Sequence, residues 1–215
     1  MAKLHTLQRV LPDQRSGHVV FVSHCLLNQN VRYLGGACAP GMIDEVVADL
    51  RRRGAGVVQM PCPEQQAWGG VGKRLTLVAY GADRKRLTRI ARRVGRRPFE
   101  LYTRWRYHRL ARRIAAQIAD YRHCGYAVDG IIGVAGSPSC GVESTLDLRG
   151  ALDGLARPDP LTLSTTEFNR DVIGANTRPG QGLFIAALRR QLSQHGLATP
   201  VIEFDPVQRP AHADE

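Results

Sequence analysis

Apolar runs that are too short for helices recur along the chain and end on glycine, proline or cysteine. Such runs, rich in valine and isoleucine, predict strands. Four of them lie at residues 17–23, 55–60, 130–135 and 200–204. Because the first run is mostly apolar rather than alternating, we expect its strand to be covered on both faces, as in a parallel sheet.

Between the predicted strands, apolar residues recur at helical spacing. The amphipathic stretches lie at 40–53, from about Pro98 to Cys124, and at 182–194. Strands that alternate with helices predict an α/β fold, a three-layer sandwich with a mainly parallel sheet. In such a sheet the ligand site is expected at the carboxyl ends of the strands. Residues 1–215 are expected to form a single α/β domain.

Three segments have weaker patterns. Residues 69–81 form a glycine-bounded run that fits either an edge strand or a substrate loop. Residues 83–124 form a basic helical segment, in which a short helix is expected to end at Gly95 before the longer one begins near Pro98. Residues 143–180 are rich in Gly, Pro, Asp, Thr and Asn and predict a long loop region with short elements.

Composition narrows the class of protein. The chain is 43% hydrophobic, as expected of a globular protein, and no apolar run reaches the roughly 20 residues that a membrane-spanning helix needs. The polar start of the chain lacks the apolar core of a signal peptide. We therefore expect a cytoplasmic protein with no membrane contact. Five cysteines, an odd number in that compartment, argue against a disulfide framework and favour metal or redox roles.

The net charge of +11 is concentrated in one patch. Residues 84–113 hold 13 Lys and Arg against the single acid Glu100, a local charge of +12. Tyr102, Trp105 and Tyr107 are interleaved with these cations. A patch of this kind attracts phosphate, so we expect contact with a nucleotide or with RNA, or else with a second copy in a homodimer.

Three of the five cysteines follow directly on the three best predicted strands. They are Cys25, Cys62 and Cys140, and the carboxyl ends of parallel strands share one edge of the sheet. Neighbouring strands are only about 4.8 Å apart, so the three thiols are expected to meet. Cys38 and Cys124 are interpreted as small hydrophobic residues.

The residues around these cysteines leave three interpretations open. Three thiols suit a zinc ion with a bound water, although zinc ligands are usually closely paired and no Cys-x-x-Cys occurs here. They also suit a four-iron, four-sulfur cluster with one iron open to a soft atom such as sulfur. A phosphatase would place a nucleophilic cysteine after His24 and an arginine six positions on, whereas Arg32 is seven positions beyond Cys25.

Three segments carry a family resemblance. They read VSHCLLNQNVRY at 22–33, PCPE at 61–64 and SPSCG at 137–141, and PGQG at 179–182 adds a weaker match. Together they resemble the signature segments of the DUF523 family, that of the bacterial thiouracil desulfidases. The resemblance extends over roughly residues 17 to 204.

The resemblance implies a [4Fe-4S] cluster bound by Cys25, Cys62 and Cys140, with one open iron that captures the sulfur of a thiocarbonyl compound. It implies a desulfidase that hydrolyses a thiolated pyrimidine base or nucleotide without redox chemistry and releases sulfide. Leu34 and the segment 65–68 depart from the family pattern, which leaves open a different thiolated substrate or another activity for this branch. The alternative function is a non-enzymatic, basic RNA-binding protein with a structural metal site.

Within this chemistry, polar residues beside the cysteines are assigned candidate roles. Glu64 is the candidate catalytic base, with a loop-capping carboxylate as its alternative. Ser137 and Ser139 are candidate donors to the tetrahedral intermediate, and either could instead brace the Cys140 turn. Asn28 and Arg32 are the candidate substrate-binding residues, for a base edge and an anion respectively.

Overall fold

The computed structural model describes residues 4, 6–7, 10–84, 86–156 and 164–207. These described residues form six strands: β1 His18–Ser23, β2 Gly56–Met60, β3 Ala127–Val134, β4 Ser144–Leu146, β5 Thr177–Pro179 and β6 Val201–Phe204. The α-helices are α1 His24–Leu27, α2 Asp44–Arg52, α3 Pro63–Ala67, α4 Arg74–Leu77, α5 Arg86–His123, α6 Leu148–Ala156, α7 Thr165–Glu167 and α8 Leu183–Gln194. A π-helix covers Phe168–Ile173, and 3-10 turns cover Gln29–Val31, Ala82–Arg84 and Gly174–Asn176.

The main sheet has the strand order β2-β1-β3-β6, and every neighbouring pair is parallel. Its strands fall where the apolar runs predict them, and β1, near the centre, is buried on both faces after its first residue. For this strand order, the right-handed crossover rule puts α2 on one face of the sheet and α5 and α8 on the other. Helices α5 and α8 pack against each other, as the rule requires. The predicted α/β sandwich with a mainly parallel sheet is confirmed.

Helix α5 differs from the sequence prediction. The expected break near Gly95 is absent, and a single helix of 38 residues runs through Pro98. Arg92 anchors its first half, since this side chain pairs with Asp83 and with Asp153. These ion pairs help to offset the hydrogen bond that an internal proline removes. Lys85, in the predicted basic segment, lies outside the described residues.

Residues 143–180 hold more regular structure than a long loop. Strand β4 pairs with β5 in an antiparallel ribbon, and α6 packs with the π-helix in a small second cluster of apolar side chains. Residues 157–163 of this region lie outside the described part of the chain. The segment 69–81 is neither strand nor open loop, because α4 and a series of turns occupy it. None of the described helices is both long and apolar enough to cross a bilayer.

Candidate active site and metal centre

The structure brings Cys25, Cys62 and Cys140 to one edge of the sheet. Cys25 lies in α1, directly after β1; Cys62 caps α3, just beyond β2; and Cys140 lies in the turn that follows β3. These three strands are adjacent and parallel, so all three thiols lie beyond their carboxyl ends. The thiols are close enough that Cys25 and Cys62 both influence the pKa of Cys140.

Burial dominates the electrostatics of the three thiols. It raises the pKa of Cys25 and Cys140, and it raises that of Cys62 to about 12 with help from the Glu64 carboxylate. A phosphatase nucleophile needs the opposite shift, because only the thiolate attacks phosphorus. The position of Arg32 beside Cys25 is therefore not enough to support the phosphatase interpretation.

The donor set favours a cluster over a single ion. Among the described residues, no three His, Cys, Asp or Glu side chains converge tightly enough to hold one metal ion. A zinc site would need such convergence, because each sulfur lies about 2.3 Å from the shared zinc. Three neighbouring thiols that arrive from three separate loops, without closely paired ligands, fit an iron–sulfur cluster, whose usual ligands are thiolates.

Glu64 lies at the centre of a buried polar network beside the thiols. Glu64 as a whole residue is only 8% exposed. Its Oε2 lies 2.5 Å from Nζ of Lys73, and its Oε1 accepts a hydrogen bond of 3.1 Å from Oγ of Ser139. Both partners contact the side-chain oxygens of Glu64 directly. The network therefore holds the side chain of Glu64 in place beside Cys62 and the Cys140 turn.

Lys73 is a site residue that the sequence analysis missed. Its side chain is buried, and its backbone is left-handed at φ 47°, a conformation that favours glycine and asparagine. Burial alone would lower the pKa of Lys73, but the Glu64 carboxylate outweighs this effect and raises it. The available signal was Gly69-Gly70-Val71-Gly72, a flexible run that ends on a lysine soon after Cys62.

The Cys140 turn is held by serines that have different partners. The Ser137 hydroxyl accepts the backbone N–H of Cys140 at 3.0 Å, which is the bracing role. The buried Ser139 hydroxyl donates to Glu64 and lies 3.7 Å from the Cys140 sulfur. Ser139 thus directs its proton at the carboxylate rather than into open space.

Glu203 on β6 fixes the chain that leaves this turn. Its carboxylate accepts the backbone N–H groups of Val142, Glu143 and Ser144 at 2.7, 2.8 and 3.1 Å, and the Ser144 hydroxyl at 2.9 Å. Burial raises the pKa of Glu203, but these donors outweigh that effect and the pKa lies below its usual range. The last strand of the sheet therefore fixes the path of the chain that leaves the Cys140 turn.

Arg32 lies beside Cys25 without a carboxylate partner among the described residues. Its Nε is buried and makes no hydrogen bond, and its guanidinium lies 5.6 Å from the centre of the Tyr33 ring. Burial would lower the pKa of Arg32, whereas Cys25, Tyr33 and other neighbours raise it. A buried cation in this state is suited to binding an anion.

Asn28 caps the neighbouring turn, since its Oδ1 accepts the backbone and side-chain N–H groups of Asn30. Only its amide N–H group is left for a ligand. Gln29, missed from the sequence, is buried and links the loop internally: its Nε2 donates to the Cys25 carbonyl, and its Oε1 accepts the Cys38 N–H. This loop is therefore braced around Cys25.

Tyr107 is a further site residue, which the sequence pattern assigned to other roles. The sequence puts it in the apolar stripe of α5 and among the aromatic residues of the basic patch, but its side chain is 1% exposed. Burial, followed by the charges of Glu64, Cys140 and Cys62, raises the pKa of its phenol well above the ordinary value. The phenol therefore stays protonated, and it lies next to the thiols.

Comparison with known proteins identifies relatives of the chain. A family model described as 2-thiouracil desulfurase matches residues 20–197. An uncharacterized protein of Methanocaldococcus jannaschii is 29% identical over 128 residues, which cover 58% of this chain and 67% of that protein. A solved structure of a [4Fe-4S]-dependent thiouracil desulfidase, TudS, is 20% identical with a TM-score of 0.43, over 86% of this chain and 90% of the other.

Proposed function

Because the chain belongs to the 2-thiouracil desulfurase family, we propose that it is an iron–sulfur-dependent desulfidase for a thiolated pyrimidine base or nucleotide. The reaction is a hydrolysis in which water adds its oxygen to the thiocarbonyl carbon, the carbon–sulfur bond breaks and sulfur leaves as hydrogen sulfide. Thiouracil and water thus give uracil and hydrogen sulfide, with no net electron transfer. The observation that carries the proposal is the convergence of three thiols, two of them buried, beside the buried side chain of Glu64.

Cys25, Cys62 and Cys140 would hold a [4Fe-4S] cluster through their three sulfurs. When bound, such a cluster supplies an open iron that acts as a Lewis acid toward a thiocarbonyl sulfur. Each thiol loses its proton on becoming a ligand. The positive charge of Arg32 beside Cys25 then offsets part of the negative charge that three thiolates bring to the site.

Glu64 is the proposed general base. It accepts a proton from the attacking water as the water oxygen bonds to carbon. Lys73 and the Ser139 hydroxyl contact the two side-chain oxygens of Glu64 and fix its orientation. Ser137 contributes indirectly, because its hydroxyl holds the Cys140 turn on which Ser139 lies. The Asn28 amide is proposed to contact the base edge, and Arg32 an anionic group of a nucleotide substrate.

Purification without oxygen tests this proposal. We expect a brown protein with roughly four iron and four acid-labile sulfide per chain, the composition of the cluster. It should release sulfide from at least one member of a panel of thiouracils and thionucleotides. If thionucleotides have a higher kcat/KM than thiouracils, Arg32→Gln should remove that preference. Such a result would identify Arg32 as the contact for the phosphate of the nucleotide. A folded, colourless and iron-free preparation that cannot be reconstituted with iron and sulfide would refute the proposal.

The outer side of α5 favours RNA as a form of the substrate. Tyr102 and Trp105 are 41% and 50% exposed, with ring centres 6.1 Å apart, and the Arg109 guanidinium lies 5.0 Å from the centre of the Trp105 ring. Aromatic rings flanked by arginines bind single-stranded nucleic acid by stacking and by charge. We propose that RNA carrying a thiolated base binds there.

Replacing the exposed tryptophan tests the RNA surface. Trp105→Ala should weaken binding of a single-stranded RNA by about 5- to 150-fold, because one stacked base is worth about 1–3 kcal/mol. Trp105→Phe, the matched control, keeps a ring and should lose much less. Wild-type affinity should also fall steeply as salt rises. An RNA affinity that changes neither with salt concentration nor with this substitution would contradict the proposal. If instead the molecular mass in solution rises with protein concentration, and Trp105→Ala abolishes that rise, the surface is a homodimer interface.

A further inference from the structure

The hydroxyl of Tyr107 has no hydrogen-bond partner within the described residues, although it is buried. An unpaired buried hydroxyl is costly, so native structures rarely keep one without a use for it. The ring cannot turn the hydroxyl toward solvent, because Tyr107 is 1% exposed and packs against Trp68, with ring centres 6.4 Å apart. Trp68 is held in turn by the hydrogen bond from its Nε1 to Thr103, one helical turn before Tyr107.

The surroundings of this hydroxyl limit what it can bind. Its charged and titratable neighbours are Glu64, Cys140 and Cys62. The Ser139 hydroxyl lies close enough to lower the pKa of the phenol, but the two hydroxyls do not meet in a hydrogen bond. Both Glu64 oxygens already have partners, and Ser139 already contacts Glu64 and Ser137. A neutral thiol is a weak acceptor, whereas a thiolate that ligates a metal is a good one.

We propose that Tyr107 is a hydrogen-bond donor to the ligand sulfurs of Cys62 and Cys140 in the loaded site. This inference rests on the proposed function. It explains why a phenol lies among thiols with its proton retained and without a partner. A donor at this position stabilises the negative charge on the sulfurs, and more so in the reduced cluster, which carries one more electron. Tyr107 therefore raises the reduction potential of the cluster and helps to retain it.

Tyr107→Phe removes only the hydroxyl and keeps the ring that packs on Trp68. In the metal-free protein we expect this variant to melt at the wild-type temperature or higher, because the lost group had no partner. In the reconstituted protein we expect a more negative reduction potential and faster loss of iron to a chelator. Tyr121→Phe is the matched control, since Tyr121 lies on the same helix but packs against Phe21 and Tyr126. It should change neither the potential nor the rate of iron loss.

The outcomes separate this inference from the function on which it rests. A wild type that takes up no cluster refutes the proposed function, and this role of Tyr107 with it. If the wild type binds the cluster and Tyr107→Phe has the same reduction potential and the same rate of iron loss, only the role of Tyr107 is overturned. A clear drop in the melting temperature of the metal-free variant would also overturn it, because the hydroxyl would then have a structural partner.

Discussion

Cys140→Ser should purify without its iron and should release no detectable sulfide from thiolated substrates. An alcohol does not replace a thiolate as an iron–sulfur ligand, and even loss of a supporting residue around a metal ligand costs about 10- to 100-fold in affinity. Cys140 lies in the turn after β3 and is only 5% exposed, so its thiol makes little contact with solvent. The measurement is iron and acid-labile sulfide per chain after anaerobic reconstitution, with sulfide release assayed on the same sample.

Cys124→Ser is the matched control for this experiment. Cys124 follows the last residue of α5 and precedes β3, so it lies at the amino edge of the sheet, opposite the three thiols. It should keep both iron and activity. Equal losses in the two variants would show that the cysteines are wrongly divided between ligands and structural residues.

Glu64→Gln should lower kcat by about 10²- to 10⁴-fold, the usual contribution of a positioned general base. The amide keeps the shape of the side chain but cannot accept the proton of water. Because Glu64 is not among the three proposed ligands, iron content should stay at the wild-type level. A rate within a few-fold of wild type would leave Glu64 as a capping carboxylate, and loss of iron together with activity would indicate a structural role.

Lys73→Asn distinguishes the effect of the Lys73 ammonium group from that of the left-handed backbone at this position. Asparagine tolerates the left-handed conformation of this position, so the substitution removes the charge with little backbone strain. It leaves the buried Glu64 without its cation, and we expect a loss of about 3–5 kcal/mol in unfolding free energy. In the Glu64→Gln background the same substitution should cost much less, and equal costs in both backgrounds would deny the coupling of the pair.

The parts of this structure that the sequence predicts are those with a local signal. The apolar runs predict the strands. The cysteines that follow three of these strands could be placed on one edge of the sheet, because the carboxyl ends of parallel strands lie on the same edge. Pro98 misled the prediction of α5, since proline favours the first turn of a helix in the absence of tertiary contacts. Here Arg92 ties the earlier turns to Asp83 and Asp153, a contact that no local pattern reveals.

The residues that support the site could not be predicted from local sequence patterns either, because their contacts join distant parts of the chain. Tyr107 lies at a core position of an amphipathic helix, and only the packed structure shows that its hydroxyl lies beside Cys62 and Cys140. Glu203 appears in a terminal strand as an ordinary acid, and its three backbone partners lie far away in the sequence. Lys73 had a weak signal in its glycines, but its ion pair with Glu64 depends on how the α3–α4 connection folds back.

The hydrogen bonds that Glu203 accepts beyond the Cys140 turn affect when, during biosynthesis, the site is complete. Cys25 and Cys62 are made early and belong to one strand–helix–strand unit, whereas the chain that leaves the Cys140 turn is held by Glu203, a residue of β6 that is made late. Until β6 has docked, a nascent chain that has passed Cys140 lacks these contacts, so its third thiol is less firmly placed than the other two. Assembly of the proposed cluster is therefore expected only after the sheet is complete.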